Sequence, residues 1–380
     1  MIYLDNAATT RPHPEVLEAT FEYLKLPPAN PSAVHPWGIE QRRVLSQARS
    51  QLARLFSIPQ EGVVFCASGT ESDNLAIKGS LVRLGKNRGT FVTTPLEHKA
   101  VLECAKWYQD RGGEVRFVQV DPASGLVNLD DLKSCIDQET CLISVSHVHN
   151  ETGITQDLTA LSKVIKAHAP QAIFHSDGVQ GFGKLSPKLK KWGVDLYSIS
   201  GHKIHGLVGG AALIRSKPLN LEPQVWGGNQ EFGLRSGTEN ILAIHALALA
   251  ANLAQKEHDS HWEAVKLWAE GFWTQLQTLE PALTRTQGQL ILPHILHIQT
   301  PGVPGEVLLH HLAAQGVLVS QGSACQANSK HLSMGLKSLG LNDQQIRQSL
   351  RLSLSAVELT LSPDQVAQRF SAAIKQVRSV

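Results

Sequence analysis

Short β-branched runs alternate with helical stretches through the middle of the chain, from about Val63 to Arg215. Strands that are separated by helix-length segments are typical of βαβ units, in which neighbouring strands run parallel. Several of the runs carry apolar residues on both faces, as expected for strands that helices cover on both faces of a sheet. The alternation therefore predicts an α/β fold with a mainly parallel sheet.

The predicted elements divide the chain into two unequal parts. Strands are predicted at Val63–Ala67, Thr90–Thr94, Val115–Val120, Leu142–His147, Ala172–Ser176, Leu196–Ser200 and Gly210–Arg215, which makes a seven-stranded sheet. Helices are predicted at Ser72–Leu84, His98–Asp110, Leu129–Asp137, Leu158–His168, Glu239–Glu257 and His261–Leu279. A mixed segment follows from Pro293 onward. We therefore expect a large domain of residues 11–260 and a smaller α+β domain made of residues 1–10 and 261–380.

Charge and hydropathy exclude several kinds of partner. The 380 residues include 35 Lys and Arg against 33 Asp and Glu, so no overall basic field favours direct binding of nucleic acid. The longest apolar stretch, residues 241–254, is too short for a membrane span and contains His245 and Asn252. No basic segment followed by an apolar one marks the N-terminus, so we expect no secretory leader.

The cysteine content is typical of a reducing compartment. The chain has five cysteines, an odd number, and no two of them form a C-x-x-C pair. This pattern argues against a disulfide scaffold and against a zinc ribbon. We therefore expect a cytoplasmic protein.

Two residues with useful chemistry follow predicted strands. Lys203 comes just after the strand that ends at Ser200, and Asp177 follows the strand that ends at Ser176. Ligands of open α/β sheets bind beyond the carboxyl ends of the strands. A desolvated lysine forms Schiff bases, and an aspartate keeps a pyridine nitrogen protonated, which is the pair that a pyridoxal phosphate site needs. Taken singly, Lys203 is also explained as a surface lysine and Asp177 as a helix-capping aspartate.

A turn of small residues, Ser68-Gly69-Thr70, joins a predicted strand to a predicted helix. Its backbone N–H groups would suit a phosphate. An ordinary capped turn explains it equally well, because Glu71 lies three residues after Ser68. The segment matches neither common nucleotide-binding glycine motif, so a nucleotide is disfavoured.

Several further side chains could act on a substrate. His98 follows a strand end, where an imidazole could stack on a cofactor ring or carry protons. Cys325 lies in a small, polar segment that suits an exposed nucleophile, and Arg351 could clamp a carboxylate or form a surface ion pair. His147 and His149 would share a strand face, but no third metal ligand stands out, so we expect no metal site.

Together these segments resemble the class V, fold-type I family of pyridoxal phosphate enzymes, and more closely the cysteine desulfurases of the nitrogen-fixation and iron–sulfur-cluster group. The resemblance extends nearly from end to end. It is based on short motifs in a fixed order, namely residues 3–10, 30–32, 69–74, 97–98, 150–153, 177–180, 200–203, 235–240 and 322–325.

The resemblance implies a role for each matching residue. Lys203 would bind the cofactor aldehyde, Asp177 the pyridine nitrogen and Gln180 the phenolic oxygen, while His98 would stack on the ring and carry protons. The residues implied for the phosphate are Gly69, Thr70, Ser200, His202 and, from the partner subunit of a homodimer, Thr238. The substrate carboxylate would meet Asn150 and Arg351, and Cys325 would accept the sulfur.

The implied activity is that of a cysteine desulfurase, which converts L-cysteine to L-alanine and passes a persulfide from Cys325 to an acceptor protein. Iron–sulfur cluster assembly, tRNA thiolation and DNA thiolation all start from similar enzymes. The interval from Cys325 to Arg351 resembles the long-loop group of the family. A selenocysteine lyase or another class V enzyme, a non-catalytic scaffold and a metal hydrolase are the alternatives.

The chain departs from the family pattern at a few positions. His149 stands where asparagine is usual, Leu207-Val208 replaces Pro-Lys, and Gln326-Ala327-Asn328 replaces a Thr/Ser-rich run. None of these changes removes a catalytic group. They leave the sulfur acceptor and the pathway open.

Overall fold

The computed structural model describes residues 1–83, 89–322 and 332–379. Within these ranges the strands are β1 Ile2–Tyr3, β2 Val63–Cys66, β3 Thr90–Thr93, β4 Glu114–Phe117, β5 Thr140–Ser144, β6 Ile173–Asp177, β7 Leu196–Ser200, β8 Ala211–Arg215, β9 Thr284–Arg285, β10 Ile295–Gln299, β11 Val317–Leu318 and β12 Ser349–Ser353. The helices are α1 Pro14–Leu24, α2 Pro36–Phe56, α3 Gly69–Arg83, α4 Lys99–Gln109, α5 Leu129–Cys135, α6 Leu158–His168, α7 Leu189–Trp192, α8 Ile241–Lys256, α9 His258–Leu279, α10 Gly305–Ala314, α11 Met334–Ser338, α12 Asp343–Arg347 and α13 Pro363–Arg378.

The central sheet has seven strands in the order β2-β8-β7-β6-β5-β3-β4 among the described residues. The strands from β4 through β3, β5 and β6 to β7 are parallel, whereas β8 runs antiparallel to both of its neighbours. The predicted α/β fold with a mainly parallel, seven-stranded sheet is therefore confirmed.

Helices cover both faces of this sheet, which explains the uniformly apolar strands. In β2, Val63 and Phe65 pack in one buried cluster with α2, α6 and α8. The alternate residues Val64 and Cys66 pack in another cluster with α3. Successive side chains of a strand point to opposite faces, so a strand buried on both faces needs apolar residues at every position.

Some boundaries differ from the prediction for local reasons. Helix α3 begins at Gly69 rather than Ser72, because the Ser68 hydroxyl accepts a hydrogen bond from the Glu71 N–H at 3.1 Å and caps the helix early. Leu84, the predicted end of that helix, lies outside the described residues. Strand β5 ends at Ser144 rather than His147, although the His147 N–H still donates to the Asp177 carbonyl at 2.9 Å. Helices α1 and α2 were not predicted.

Two main groups of buried apolar side chains support a division of the chain. One combines residues between Val16 and Leu253, and the other combines Ile2 and Leu4 with residues between Val265 and Ile374. Only Glu257 separates α8 from α9. We therefore propose a domain boundary between these two helices, close to residue 260, with the first residues of the chain assigned to the smaller part.

The N-terminal segment connects the two parts. Strand β1 pairs in parallel with β11, and the Asn6 N–H then donates to the Ser353 carbonyl at 3.2 Å. Farther along, the Thr10 N–H donates to the His202 carbonyl at 2.8 Å, just beyond the end of β7. Residues between these anchors therefore cross the carboxyl edge of the central sheet. Within the described part of the chain, no helix combines the length and apolar character needed to cross a membrane.

Candidate active site

A cavity of about 210 Å³ lies at the carboxyl ends of β5, β6 and β7, under the N-terminal segment. It is lined by Ala7, Ala8, Ser68, Gly69, Thr70, Asp73, His98, Ser146, Val148, Asn150, Asp177, Val179, Gln180, Ser200, His202, Lys203 and Arg351. Every predicted site residue within the described ranges lines this cavity except Thr238. Ligands of open α/β sheets bind at this edge, so the fold brings the predicted residues together.

Lys203 lies in a 3₁₀ turn, Gly201–Lys203, directly after β7. Its Nζ donates hydrogen bonds to the backbone carbonyls of Ala7 at 2.5 Å and Ala8 at 2.7 Å. The Gln180 side chain donates to the same Ala7 carbonyl at 2.9 Å. The N-terminal segment therefore fixes the lysine amine at the cavity. Sequence reasoning missed this arrangement, because backbone carbonyls leave no signature in a sequence.

Asp177 is the last residue of β6, and its carboxylate faces the same cavity. The Val179 N–H donates to its Oδ1 at 2.9 Å. Burial raises the pKa of Asp177, while the electrostatic influence of His98, the Val179 hydrogen bond and Lys203 oppose the rise. This buried acid is suited to hold a charged ring nitrogen.

A second carboxyl group, that of Asp73 on α3, lies beside Asp177 and was not predicted. One oxygen of each carboxyl and one ring nitrogen of His98 all lie within 4.8 Å of one another. The signal for Asp73 was its spacing, because Gly69 and Asp73 are four residues apart on α3 and so share a helix face.

The N-terminal end of α3 forms a polar cradle on one side of the cavity. A Cβ atom on Gly69 would lie only 2.8 Å from the Val179 side chain, so a larger residue would not fit without a shift. The Ser200 hydroxyl is buried and has no hydrogen-bond partner among the described residues. Free N–H groups at a helix N-terminus favour an anion. The cradle therefore suits a phosphate.

His202 borders the same cradle. Its Nδ1 lies 3.1 Å from the Thr9 hydroxyl. Burial lowers its pKa to about 4, and the charges of Lys203 and Lys184 add to this effect. The ring is therefore neutral at pH 7 and can interact with an anion through an N–H group but not through a full charge.

Arg351 lies on β12 and closes another side of the cavity, with only 1% of its surface exposed. Its Nη1 donates to the Asn150 carbonyl at 2.9 Å and its Nη2 to the Asp5 carboxylate at 2.8 Å. Its Nε is buried without a hydrogen-bond partner among the described residues. A guanidinium with a free donor in a cavity is suited to receive a carboxylate.

The histidine pair considered as metal ligands does not act together. His147 Nδ1 lies 2.8 Å from the Tyr197 hydroxyl, whereas His149 Nδ1 lies 2.9 Å from the Thr152 hydroxyl. Burial lowers the pKa of His147 to about 3 and that of His149 to about 4. Both rings therefore serve as neutral hydrogen-bonding groups, and neither lines the cavity.

Two predicted residues are not part of the described cavity. Cys325 lies outside the described residues, as does the departure at 326–328. Thr238 is exposed in the segment between β8 and α8 and does not reach the cavity of its own chain. In the same segment, the Arg235 Nε binds the Glu71 carboxylate at 2.6 Å, which ties the segment to the start of α3.

Comparison with known proteins shows the family of this chain. The family described as aminotransferase class-V matches residues 2–360. A cysteine desulfurase IscS of Buchnera aphidicola is 33% identical over 384 residues, which cover 100% of this chain and 94% of that protein. A solved structure described as a NifS-like protein superposes with a TM-score of 0.90 at 30% identity, covering 100% of this chain and 99% of the other.

Another solved structure, SspA in complex with cysteine, has a TM-score of 0.82 at 30% identity and covers 93% of this chain and 99% of the other. The similarity thus extends over both parts of the fold. The chain belongs to the class-V aminotransferase family of pyridoxal phosphate enzymes, among the cysteine desulfurases.

Proposed function

We propose that the protein removes sulfur from L-cysteine, releases L-alanine and holds the sulfur as a persulfide on Cys325. The observation that supports this most directly is the meeting of Lys203, Asp177 and Arg351 in one cavity, since these groups would bind the cofactor aldehyde, the ring nitrogen and the substrate carboxylate. The names of the relatives and the cysteine complex of SspA point to the same substrate.

The residues of the cavity fit pyridoxal phosphate. The unpartnered Ser200 hydroxyl lies at the cradle beside Gly69, where it would bind a phosphate oxygen with Thr70 and His202. The Gln180 Oε1 is also buried without a partner among the described residues and would accept a hydrogen bond from the phenolic O–H. When bound, the cofactor supplies an aldehyde that reacts with amines and a ring that withdraws electrons from the attached carbon.

The side chains of the cavity have different roles in binding and converting the substrate. Arg351 and Asn150 orient the carboxylate of L-cysteine. Lys203, once its amine is released, moves the proton at the substrate α-carbon, and Asp177 keeps the ring nitrogen protonated. His98, at the N-terminal end of α4, carries the proton of the substrate thiol.

The sulfur transfer itself needs the Cys325 thiolate. Its Sγ attacks the substrate sulfur, a new S–S bond forms, and the Cβ–S bond breaks with its electron pair left on the carbon fragment. Protonation of that fragment gives alanine. An acceptor thiol then takes the sulfur from Cys325. The identity of the acceptor is open, and the departures from the family pattern at 326–328 concern this step.

The described anchor of the cysteine segment supports this role. Ser320 pairs with Arg351 through two backbone hydrogen bonds, of 3.1 Å and 2.7 Å. Cys325 follows Gly322 by three residues. The described end of the segment that precedes Cys325 in the sequence is therefore paired with the residue that would bind the substrate carboxylate.

We further propose that the enzyme is a cytoplasmic homodimer in which Thr238 completes the phosphate site of the partner subunit. Thr238 is exposed in its own chain, and large apolar side chains of the same segment are also exposed, including Trp226 at 73% and Phe232 at 52%. Exposed apolar clusters of this kind are typical of protein interfaces. A second copy of the chain would cover them.

The first test is an assay of the purified protein with L-cysteine and a reductant. We expect a yellow protein that forms alanine and sulfide in equal amounts. Formation of pyruvate instead of alanine, or a protein that stays colourless after addition of pyridoxal phosphate, would contradict the proposed function.

A further inference from the structure

The mechanism above gives no task to Asp73, although its carboxyl is among the most buried charged groups of the cavity. The side chain is 1% exposed, and its Oδ1 has no hydrogen-bond partner among the described residues. A buried carboxyl costs several kcal/mol as an unpaired anion, so it is retained either with a partner or in neutral form. Its nearest acidic neighbour is Asp177, with the two carboxyl oxygens within 4.8 Å.

The two carboxyls have unequal surroundings. Asp177 receives the Val179 N–H and lies near the amine of Lys203. The Asp73 Oδ1 receives no hydrogen bond from the described residues. Two like charges this close in a buried site do not both persist. Burial and the charge of Asp177 raise the pKa of Asp73 well above its usual value, so Asp177 keeps the negative charge and Asp73 the proton.

The other groups around Asp73 do not change which of the two carboxyls carries the proton. His175 on β6 has its Nε2 3.6 Å from Asp73, but burial lowers the pKa of this histidine to about 3, and its two nitrogens lie 2.9 Å and 3.2 Å from the hydroxyls of Ser144 and Ser198. It is therefore a neutral neighbour.

Glu97, before α4, is buried, and burial with the charge of Asp177 raises its pKa as well. The Cys104 thiol on α4 is neutral because burial raises its pKa to about 12.

We propose that Asp73 is a positioning residue for the cofactor nitrogen: it forms with Asp177 a carboxyl pair that shares one proton, and it gives up that proton when a pyridinium binds at Asp177. The effect of Asp73 on the cofactor ring nitrogen depends on the proposed pyridoxal phosphate function. A positive ring nitrogen attracts a second negative charge, so binding of the ring favours ionisation of Asp73. By the same coupling, Asp73 holds the ring nitrogen protonated to a higher pH.

The first experiment uses the protein without cofactor and is independent of the reaction. Carbon-13 NMR of labelled aspartate carboxyls follows the titration of Asp73 in the wild type and in Asp177→Asn. We expect the Asp73 midpoint to fall by at least about one pH unit in Asp177→Asn, because the neighbouring charge is gone. An unchanged midpoint would overturn the carboxyl pair even if the protein were a desulfurase.

The second experiment uses the loaded protein with pyridoxal phosphate labelled with nitrogen-15 in the ring. The chemical shift of the ring nitrogen is followed against pH in the wild type, Asp73→Asn and Asp195→Asn. We expect Asp73→Asn to lower the pH at which the ring nitrogen loses its proton by about one unit. Asp195→Asn is the matched control, because Asp195 binds Lys217 at 2.7 Å near the opposite end of β7.

A purely structural role of Asp73 predicts a different result. The asparagine variant would then lose thermal stability or bound cofactor, while the ring nitrogen of the remaining loaded protein titrated as in the wild type. That outcome overturns the proposal. If Asp73→Asn binds no cofactor, the cofactor-free titration of Asp73 decides the question: its midpoint falls in Asp177→Asn if the two carboxyls are coupled and stays in place if they are not.

Discussion

Arg351 and Asp5 form an ion pair of 2.8 Å at the edge of the cavity, although 346 residues separate them in sequence. The pair holds one end of the guanidinium fork, and the Asn150 carbonyl holds the other. The buried Nε remains without a partner among the described residues. The arginine is thus already oriented before a substrate arrives, which reduces the entropy lost on binding.

Replacement of Arg351 by lysine is expected to weaken substrate binding. Lysine keeps the charge but cannot hold Asp5, the Asn150 carbonyl and a carboxylate in the geometry of a guanidinium fork. Loss of a charge-assisted hydrogen bond costs about 1.5–3 kcal/mol, which corresponds to a rise of about 10- to 100-fold in KM for L-cysteine. Steady-state kinetics measure this rise, and cofactor content is the control. An unchanged KM with lowered cofactor content would remove Arg351 from the substrate site.

The Lys203→Ala variant is expected to lose covalent attachment of pyridoxal phosphate. Borohydride reduction followed by peptide mass spectrometry should label Lys203 in the wild type and no lysine in the variant. Lys184→Met is a sensitive control, because the Lys184 Nζ donates to the Lys203 backbone carbonyl at 2.8 Å and yet has no assigned covalent role. Labelling of Lys184 in the wild type would mean that the reactive lysine has been misidentified.

The Cys325→Ser variant is expected to bind the cofactor with wild-type absorbance but to form no protein persulfide. A serine hydroxyl is a far poorer nucleophile toward sulfur than a thiolate. Mass spectrometry after exposure to L-cysteine detects the added sulfur. Cys135→Ser is the matched control, since Cys135 is a half-buried free cysteine away from the cavity. Persulfide at full yield in Cys325→Ser would refute the assigned acceptor.

Thermal or denaturant stability should depend on pH through Lys184. Burial lowers the pKa of Lys184 from 10.5 to about 7, and the charge of Lys203 adds to this shift in the cofactor-free protein. Between about pH 7 and 10 the unfolded chain therefore binds one more proton at this residue than the folded chain does. The free energy of unfolding rises with pH wherever the unfolded state binds more protons.

Urea unfolding of the cofactor-free wild type and of Lys184→Met measures this contribution. The wild type should gain stability relative to the variant as the pH rises from about 7 to about 10. Parallel stability curves over this range would show that Lys184 is charged normally in the folded protein.

Trp226→Glu is expected to convert the proposed dimer to a monomer. The glutamate carboxylate would lose its hydration in the interface without gaining a partner, and this cost opposes dimer formation. Light scattering measures the mass, and cofactor retention should fall together with dimerisation if Thr238 completes the partner's phosphate site. Leu267→Glu on α9 is the control, because Leu267 is 61% exposed in the other part of the chain. A Trp226→Glu variant that stays dimeric would place the interface elsewhere.

The sequence predicted the lysine and the first aspartate for a physical reason. Lys203 and Asp177 each lie at the carboxyl end of a largely buried strand, and parallel strands bring such positions to one edge of a sheet. Asp73 was not predicted as a site residue, because a charged residue within a helix usually faces solvent. The helix boundary was placed at Ser72, so the shared face of Gly69 and Asp73 was not considered.

Other parts of the site depend on contacts that no local pattern encodes. The acceptors for Lys203 are the backbone carbonyls of Ala7 and Ala8, which any residue would supply. The ion pair of Arg351 with Asp5 joins opposite ends of the chain. Residues 3–10 were singled out in the sequence only through the family resemblance. The resemblance does not explain which contacts these residues make.

The N-terminal segment also governs when the site can form during synthesis. Residues 2–6 leave the ribosome long before their partners, which lie on β11 and β12, between Val317 and Ser353. Chains emerge from the N-terminus, at about 5–20 residues per second. The carbonyls that hold Lys203 are therefore secured only when most of the chain has emerged, and the central sheet can form well before its reactive amine is fixed in place.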